Sequence, residues 1–212
     1  MSGPRANAPQ GRRERLEQLR AQERSKERRR AALIYGIAAV VALAVILGTV
    51  FAIRSAQDEQ QSVADAAKED IEGVQEFETP SNEHVEIEVD YPETPPVGGD
   101  HNPVWLNCGV YTEPVPEENV VHSLEHGAVW LTYQPDLDED QVATLEDFAA
   151  DEDYLVVSPY EGQESPVVAT AWGLQLELES TDDPRLAVFV EKYVQGAQTP
   201  EPGASCFGGV GN

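Results

Sequence analysis

Two histidines four residues apart raise the first question about the chemistry of this chain. His122 and His126 belong to the string HSLEHG, residues 122–127, with Glu125 between them. In a helix this spacing places both imidazoles on one face, where they can reach one metal ion at about 2.0–2.1 Å each. A histidine in a last helical turn can also cap the terminal carbonyls, so a structural role stays open as well.

A useful metal site needs at least a third ligand. His101 is the strongest candidate, because a loop rich in glycine and proline precedes it; Asp100 and Glu125 are the further donors. Three imidazoles with an open position suit copper or zinc. Met1 is the only methionine, which excludes a thioether-rich copper(I) site.

The same string also matches the H-x-x-E-H motif of inverted zinc peptidases, in which Glu125 would be the general base. Such an enzyme needs a longer helix and a distal acidic ligand, whereas here a predicted strand begins two residues after the motif. A metal-dependent hydrolase is therefore the weakest interpretation. The sequence leaves open whether the protein is an enzyme, with the balance against it.

The elements around these residues predict a small α+β domain with an antiparallel or mixed sheet and two main helices on one face. Pro116 and Gly127 bound a further, short helix over residues 117–126. Strands are expected over residues 84–89, 128–133, 154–158 and 166–178, the last being one strand or two around Gly173, and the main helices over residues 138–151 and 185–194. His84 falls on the polar face of the first strand and is interpreted as an exposed residue without a role.

Charge divides the chain into very different parts. The formal net charge is -25, yet residues 1–30 hold ten basic and four acidic residues, a net of +6, and residues 54–212 carry -31. Between them, residues 31–53 are uncharged, and as a helix they span about 34 Å, enough to cross a hydrocarbon core of about 30 Å. We predict a basic arm over residues 1–30, a transmembrane helix over 31–53, an acidic polar spacer over 54–83, helical in part, and a globular domain over 84–212.

Arginines beside the apolar segment predict its orientation. Residues 28–30 are all arginine and precede it directly, so the positive-inside rule leaves the arm in the cytoplasm and exports the C-terminal domain. A cleaved signal peptide has a shorter apolar region and a small-residue cleavage site, which residues 51–54 lack, so we expect a signal-anchor in the cell membrane. The expected contacts are the lipid bilayer through residues 31–53 and anionic headgroups at the arm. A charge of -31 excludes nucleic acid as a partner of the exported part.

Both cysteines, Cys108 and Cys206, fall in the predicted exported part. An even pair outside the cytoplasm predicts a disulfide. Redox catalysis is the alternative, but the chain has no C-x-x-C motif. We expect a structural bridge that holds the C-terminal tail.

Three stretches carry a family resemblance: HNPVWLNCGVY, residues 101–111; HSLEHGAVWLTYQP, residues 122–135; and AWG, residues 171–173. They resemble the bacterial, largely actinobacterial, domain-of-unknown-function family 3105, over about residues 84–208. Members pair an N-terminal membrane helix with an exported domain carrying H-x-P, CGVY and HSLEHG. The resemblance implies a membrane-anchored architecture and implies no activity.

Three functional hypotheses follow. The first is a non-enzymatic, membrane-anchored envelope protein whose acidic domain binds an unknown envelope partner or has a structural role. The second is a copper- or zinc-binding domain that uses His101, His122 and His126, and the third is the hydrolase. Convergence of the imidazole nitrogens on one point would favour the second hypothesis over the first.

Overall fold

A computed structural model describes residues 8–211, apart from the side chains of residues 8–10 and 12. The first seven residues of the predicted basic arm and Asn212 lie outside the described residues. The chain divides into two compact units, Met1–Glu59 and Gln60–Asn212.

Helix α1, Ala8–Ala66, forms the described part of the first unit and enters the second. The arm, the apolar segment and the start of the spacer join in one helix, because no proline follows Pro9 until Pro80. Within the described chain, α1 is the one helix long and apolar enough to cross a membrane, and its apolar side chains from Leu33 to Ile53 are exposed. This helix fits single-pass anchoring.

The described residues of the second unit form six strands and three further helices. In chain order they are β1 (Gln75–Glu76), β2 (Gly109–Val110), α2 (Glu117–Glu125), β3 (Val129–Tyr133), α3 (Glu139–Asp151), β4 (Leu155–Pro159), β5 (Val167–Ala171), β6 (Leu174–Leu178) and α4 (Pro184–Tyr193). The chain reverses between β5 and β6 at Gly173, whose φ of 71° is a conformation that favours glycine. Helix α4 begins as the sequence predicts, because the Asp183 side chain accepts a hydrogen bond from the backbone of Arg185 at 2.9 Å.

The strands form one mixed sheet in the order β1-β6-β5-β3-β4-β2. Strand β3 lies at its centre, antiparallel to β5 and parallel to β4, so that Trp130 is paired with Thr170 on one side and Val156 on the other. The edge strand β2 is also parallel to β4, and the other pairs are antiparallel. The predicted α+β class is confirmed.

Both faces of this sheet are covered. Alternate residues of β3 belong to different cores: Val129 and Leu131 pack with α3 and α4, whereas Trp130 packs with α2. The prediction of helices on one face therefore holds for the two main helices only. The short helix that carries the paired histidines lies on the opposite face.

Two predictions about the start of the domain differ from the structure. Residues 84–89 do not form a strand; His84 makes only an isolated bridge with His101, and Ile87 is 72% exposed. The alternation of apolar and acidic residues there has no neighbouring strand to pair with. Conversely, Ile71 and Val74 pack against the main core and β1 pairs with β6, so the second half of the predicted spacer is part of the fold.

Candidate metal centre

Helix α2 is short and sharply bounded, as its sequence predicts. Pro116 is extended at its start, acidic residues fill the first turn, and Gly127, with a φ of 95°, follows the end. His122 and His126 lie one turn apart on the buried face, and their Nε2 atoms are 3.0 Å from each other. The exposed fractions of the two residues are 3% and 4%.

Three of the imidazoles are oriented in the same way by the backbone. The Nδ1 atoms of His101, His122 and His126 lie 2.8, 2.7 and 2.7 Å from the carbonyl oxygens of Gly99, Asn102 and Ser205, respectively. A carbonyl only accepts, so each Nδ1 carries the hydrogen, and in the neutral ring each Nε2 presents a lone pair. This is the orientation that protein carbonyls impose on metal-ligating histidines.

Four side chains from three separate segments converge on one space. One ligand atom from each of His84, His101, His122 and Glu125 lies within 4.8 Å of all the others. The ring centroids of the three histidines are 4.8 to 4.9 Å apart. The Oε2 atom of Glu125 is 3.0 Å from Nε2 of His101 and 3.6 Å from Nε2 of His84.

Two atoms at the centre of this cluster have no hydrogen bond. Nε2 of His101 and Oε2 of Glu125 are both buried without a hydrogen-bond partner, although they are only 3.0 Å apart, because both atoms are acceptors when the His101 hydrogen is on Nδ1. The other carboxylate oxygen of Glu125 accepts a hydrogen bond from Asn82 at 2.6 Å. An unpartnered buried acceptor costs about 1–3 kcal/mol, and either a proton or a metal cation between two such acceptors satisfies both of them.

The electrostatic environment keeps the central imidazole neutral. The pKa of His122 is lowered from 6.5 to about 4, mainly by burial and also by the three neighbouring imidazoles, although the hydrogen bond to the Asn102 carbonyl opposes the shift. At neutral pH the Nε2 lone pair of His122 is therefore available as a ligand. Two indoles border the site: Trp105 lies with its ring centroid 5.0 Å from that of His126, and Trp172 lies 5.9 Å from His101.

The C-terminal tail closes the other side of His126. Besides the Ser205 carbonyl, it contributes Glu201, whose Oε2 is 3.6 Å from Nε2 of His126. The predicted pair Cys108 and Cys206 is at disulfide distance, with the two Cα atoms 5.4 Å apart. The backbone N–H of Cys108 also donates to the Cys206 carbonyl at 2.9 Å, so the tail is held beside the site.

The structure brings together most of the predicted site residues. His101, His122 and His126 form one connected cluster, and Glu125 joins it. Asp100 does not, because its carboxylate accepts from the Ser81 hydroxyl and from the backbone of Glu83, contacts that lower its pKa.

Sequence reasoning missed His84. The residues around it have the pattern of a strand, which placed His84 on the polar face. In the structure, Val85 N–H donates to the His101 carbonyl at 2.7 Å, and His101 N–H donates to the Glu83 carbonyl at 3.0 Å. These two backbone hydrogen bonds hold the half-exposed ring of His84 in the cluster. The available signal in the sequence was the small number of histidines: the chain has only four, and three of them were already grouped.

Comparison with known families places this cluster in context. A family model described as "Protein of unknown function (DUF3105)" matches residues 84–208. The chain belongs to this family. The match begins at His84 and includes all four histidines, Glu125 and both cysteines. A second model, described as "Inhibitor of host cell division protein domain", matches residues 10–69, and no curated protein and no solved structure gives a match.

Proposed function

We propose that this protein is a single-pass membrane protein of the cell envelope whose exported domain binds a divalent transition metal, zinc or copper(II). The ligands are drawn from His84, His101, His122, His126 and Glu125. The observation that carries the proposal is the arrangement of acceptors: buried Nε2 atoms and a buried carboxylate oxygen face one another while the Nδ1 atoms are occupied by carbonyls. A cation bound between these atoms satisfies each acceptor that it contacts.

The donor set defines the class of metal. Imidazole nitrogen with one carboxylate oxygen suits zinc and copper(II), whereas copper(I) prefers thioether and thiolate. Met1 is the only methionine and lies outside the described residues, and both cysteines are paired. The soft ligands that copper(I) requires are therefore missing from the described part of the chain.

Distances favour coordination by part of the cluster at a time. Two ligands at about 2.0–2.1 Å from one ion lie at most about 4.2 Å apart, so the widest pair, at 4.8 Å, must close by about 0.6 Å to bind together. The 3.0 Å between the Nε2 atoms of His122 and His126 needs no movement. It corresponds to an angle of about 95° at the metal, between the tetragonal angle of copper(II) and the tetrahedral angle of zinc.

The membrane part of the proposal rests on the charge pattern. Arginines at residues 28–30 favour a cytoplasmic arm, which the anionic headgroups of the inner leaflet would attract, and therefore an exported second unit. A paired Cys108 and Cys206 is typical of an oxidising compartment. We also propose a protein partner in the envelope that supplies or receives the ion, since a non-catalytic metal carrier needs one.

The test is metal binding by the full-length protein, purified in detergent micelles with an affinity tag that contains no histidine. Protein stripped with a chelator is dialysed against zinc chloride or copper(II) chloride, and metal is counted by mass spectrometry. We expect about one ion per chain. We expect the content to fall at least about tenfold when both His101 and His122 are replaced by alanine.

A matched control removes charge without touching the site. Glu191→Gln on the exposed face of α4 should bind as the wild type does, whereas Glu125→Gln, which keeps the shape of the side chain, should bind weakly. Circular dichroism shows whether each variant is folded. Folded wild-type protein that retains no zinc or copper would refute the proposal and leave the histidines a structural role.

A further inference from the structure

The ligand cluster extends through the domain to a second exposed position. His84 is 46% exposed at one end, the central residues His101, His122 and Glu125 are buried, and Glu201 is 53% exposed at the other. The successive contacts on the Glu201 side are 3.6 Å, from its Oε2 to Nε2 of His126, and 3.0 Å, from that atom to Nε2 of His122. Each step is shorter than the separation of two trans ligands on one ion, about 4.2 Å.

Glu201 is held at this end by the backbone of the site itself. Its N–H donates to the carbonyl of Glu125 at 3.1 Å, so the two carboxylate residues are linked directly. The carbonyl of Ser205, four residues later, fixes the His126 ring from the other side. The backbone of Glu201 is thus held beside the site, and its half-exposed side chain places Oε2 3.6 Å from Nε2 of His126.

We propose that Glu201 and His126 form an outer subsite, which captures a divalent ion from solution and passes it to the buried ligands. The inference rests on the proposed function. The ion first binds Oε2 of Glu201 and Nε2 of His126. Nε2 of His122, which already lies 3.0 Å from that nitrogen, then forms a bond to the metal as the bond to Glu201 breaks. Each step exchanges one ligand for another, and no electron is transferred.

The alternative is direct entry at His84. Glu86 supplies a matched comparison, because it is an exposed glutamate two residues from His84 and its replacement removes the same unit of charge. Glu201→Gln and Glu86→Gln therefore reduce long-range attraction for a cation equally. Only Glu201→Gln removes a carboxylate in contact with His126.

Loading can be followed by rapid mixing of the chelator-stripped, full-length protein with copper(II) chloride. Bound copper(II) quenches the fluorescence of Trp105, whose ring is 5.0 Å from that of His126. We expect Glu201→Gln to slow loading about tenfold, Glu86→Gln to leave the rate within about twofold, and both to reach the wild-type metal content. At high salt, where long-range attraction is screened, the difference should persist.

Two results would overturn the inference while leaving the proposed function intact. One is equal loading rates for the two variants. The other is a lower final metal content in Glu201→Gln, which would make Glu201 a ligand of the final site. A wild-type protein that shows no quenching and no bound copper or zinc would instead refute the proposed function, together with the outer subsite.

Discussion

Replacement of Glu125 by glutamine should separate stability from metal binding. In the metal-free protein, Oε2 of Glu125 and Nε2 of His101 are two buried acceptors 3.0 Å apart, neither with a hydrogen bond. The glutamine can keep its oxygen on the Asn82 amide, now 2.6 Å from Oε1, and place its NH₂ group against the His101 nitrogen. An acceptor–acceptor contact thereby becomes a donor–acceptor contact.

The expected gain in stability is set by the buried acceptor that the glutamine satisfies. Relief of one buried unsatisfied acceptor is worth about 1–3 kcal/mol, so the metal-free variant should be more stable than the wild type by that amount. With metal this advantage should shrink by up to about 2.7 kcal/mol, because saturation at about 100 times Kd stabilises the wild type by that amount and the variant by less. Few substitutions at buried charged residues stabilise a protein, which makes the sign informative.

Urea unfolding of the full-length protein, followed by tryptophan fluorescence with a chelator or with zinc, measures both effects. The control is Glu191→Gln, which is exposed and should change stability by less than about 0.5 kcal/mol. A metal-free Glu125→Gln protein less stable than the wild type by 1 kcal/mol or more would contradict this reasoning. The carboxylate would then be a structural partner of a protonated imidazole.

Four further predictions concern the disulfide, pH, a helix cap and topology. Serine at both Cys108 and Cys206, 98 residues apart, should lower the free energy of unfolding by about 4–5 kcal/mol; a loss under 1 kcal/mol would argue against the loop-entropy model. The metal-free protein should be most stable above pH 6.5 and should lose up to about 3 kcal/mol of unfolding free energy as the pH falls towards 4, because His122 then binds a proton in the unfolded chain but stays neutral in the folded one. Replacement of His122 by asparagine should flatten this dependence of stability on pH. Alanine at Asp183 should lower the melting temperature, at a cost of about 1 kcal/mol, and asparagine should restore most of it. Protease added to intact cells should digest the C-terminal unit and spare the arginines at residues 28–30, and the reverse pattern would invert the proposed topology.

Local signals were sufficient for the helices and the central strands of the second unit. Proline and glycine bounded α2, continuous apolar residues marked β3 and β4, and Asp183 with Pro184 marked the start of α4. These features depend on residues close in sequence, which a single chain displays directly. The placement of His122 and His126 on one helix face could be predicted from their spacing for the same reason.

Features that depend on contacts between residues far apart in sequence could not be predicted from the chain. The alternation in residues 84–89 has the period of a strand, but no neighbour in the fold pairs with it. Ile71 and Val74 looked too sparse for a core, yet they complete one formed by other segments. Neighbouring residues of a helix are offset by about 100°, so the sequence did not place Glu125 on the same face as His126. In the fold, His101 contacts Glu125 from another part of the chain.

The ligand atoms come from segments that are far apart along the chain, from His84 to His126 with Glu201 beyond. An unfolded polypeptide therefore has no assembled binding site, and a chain translocated before it folds cannot carry a cytoplasmic ion with it. The proposed metal binding therefore has to wait for folding. Under that proposal, the compartment in which folding finishes would select the ion by its local availability, whichever metal the ligands would prefer in open competition.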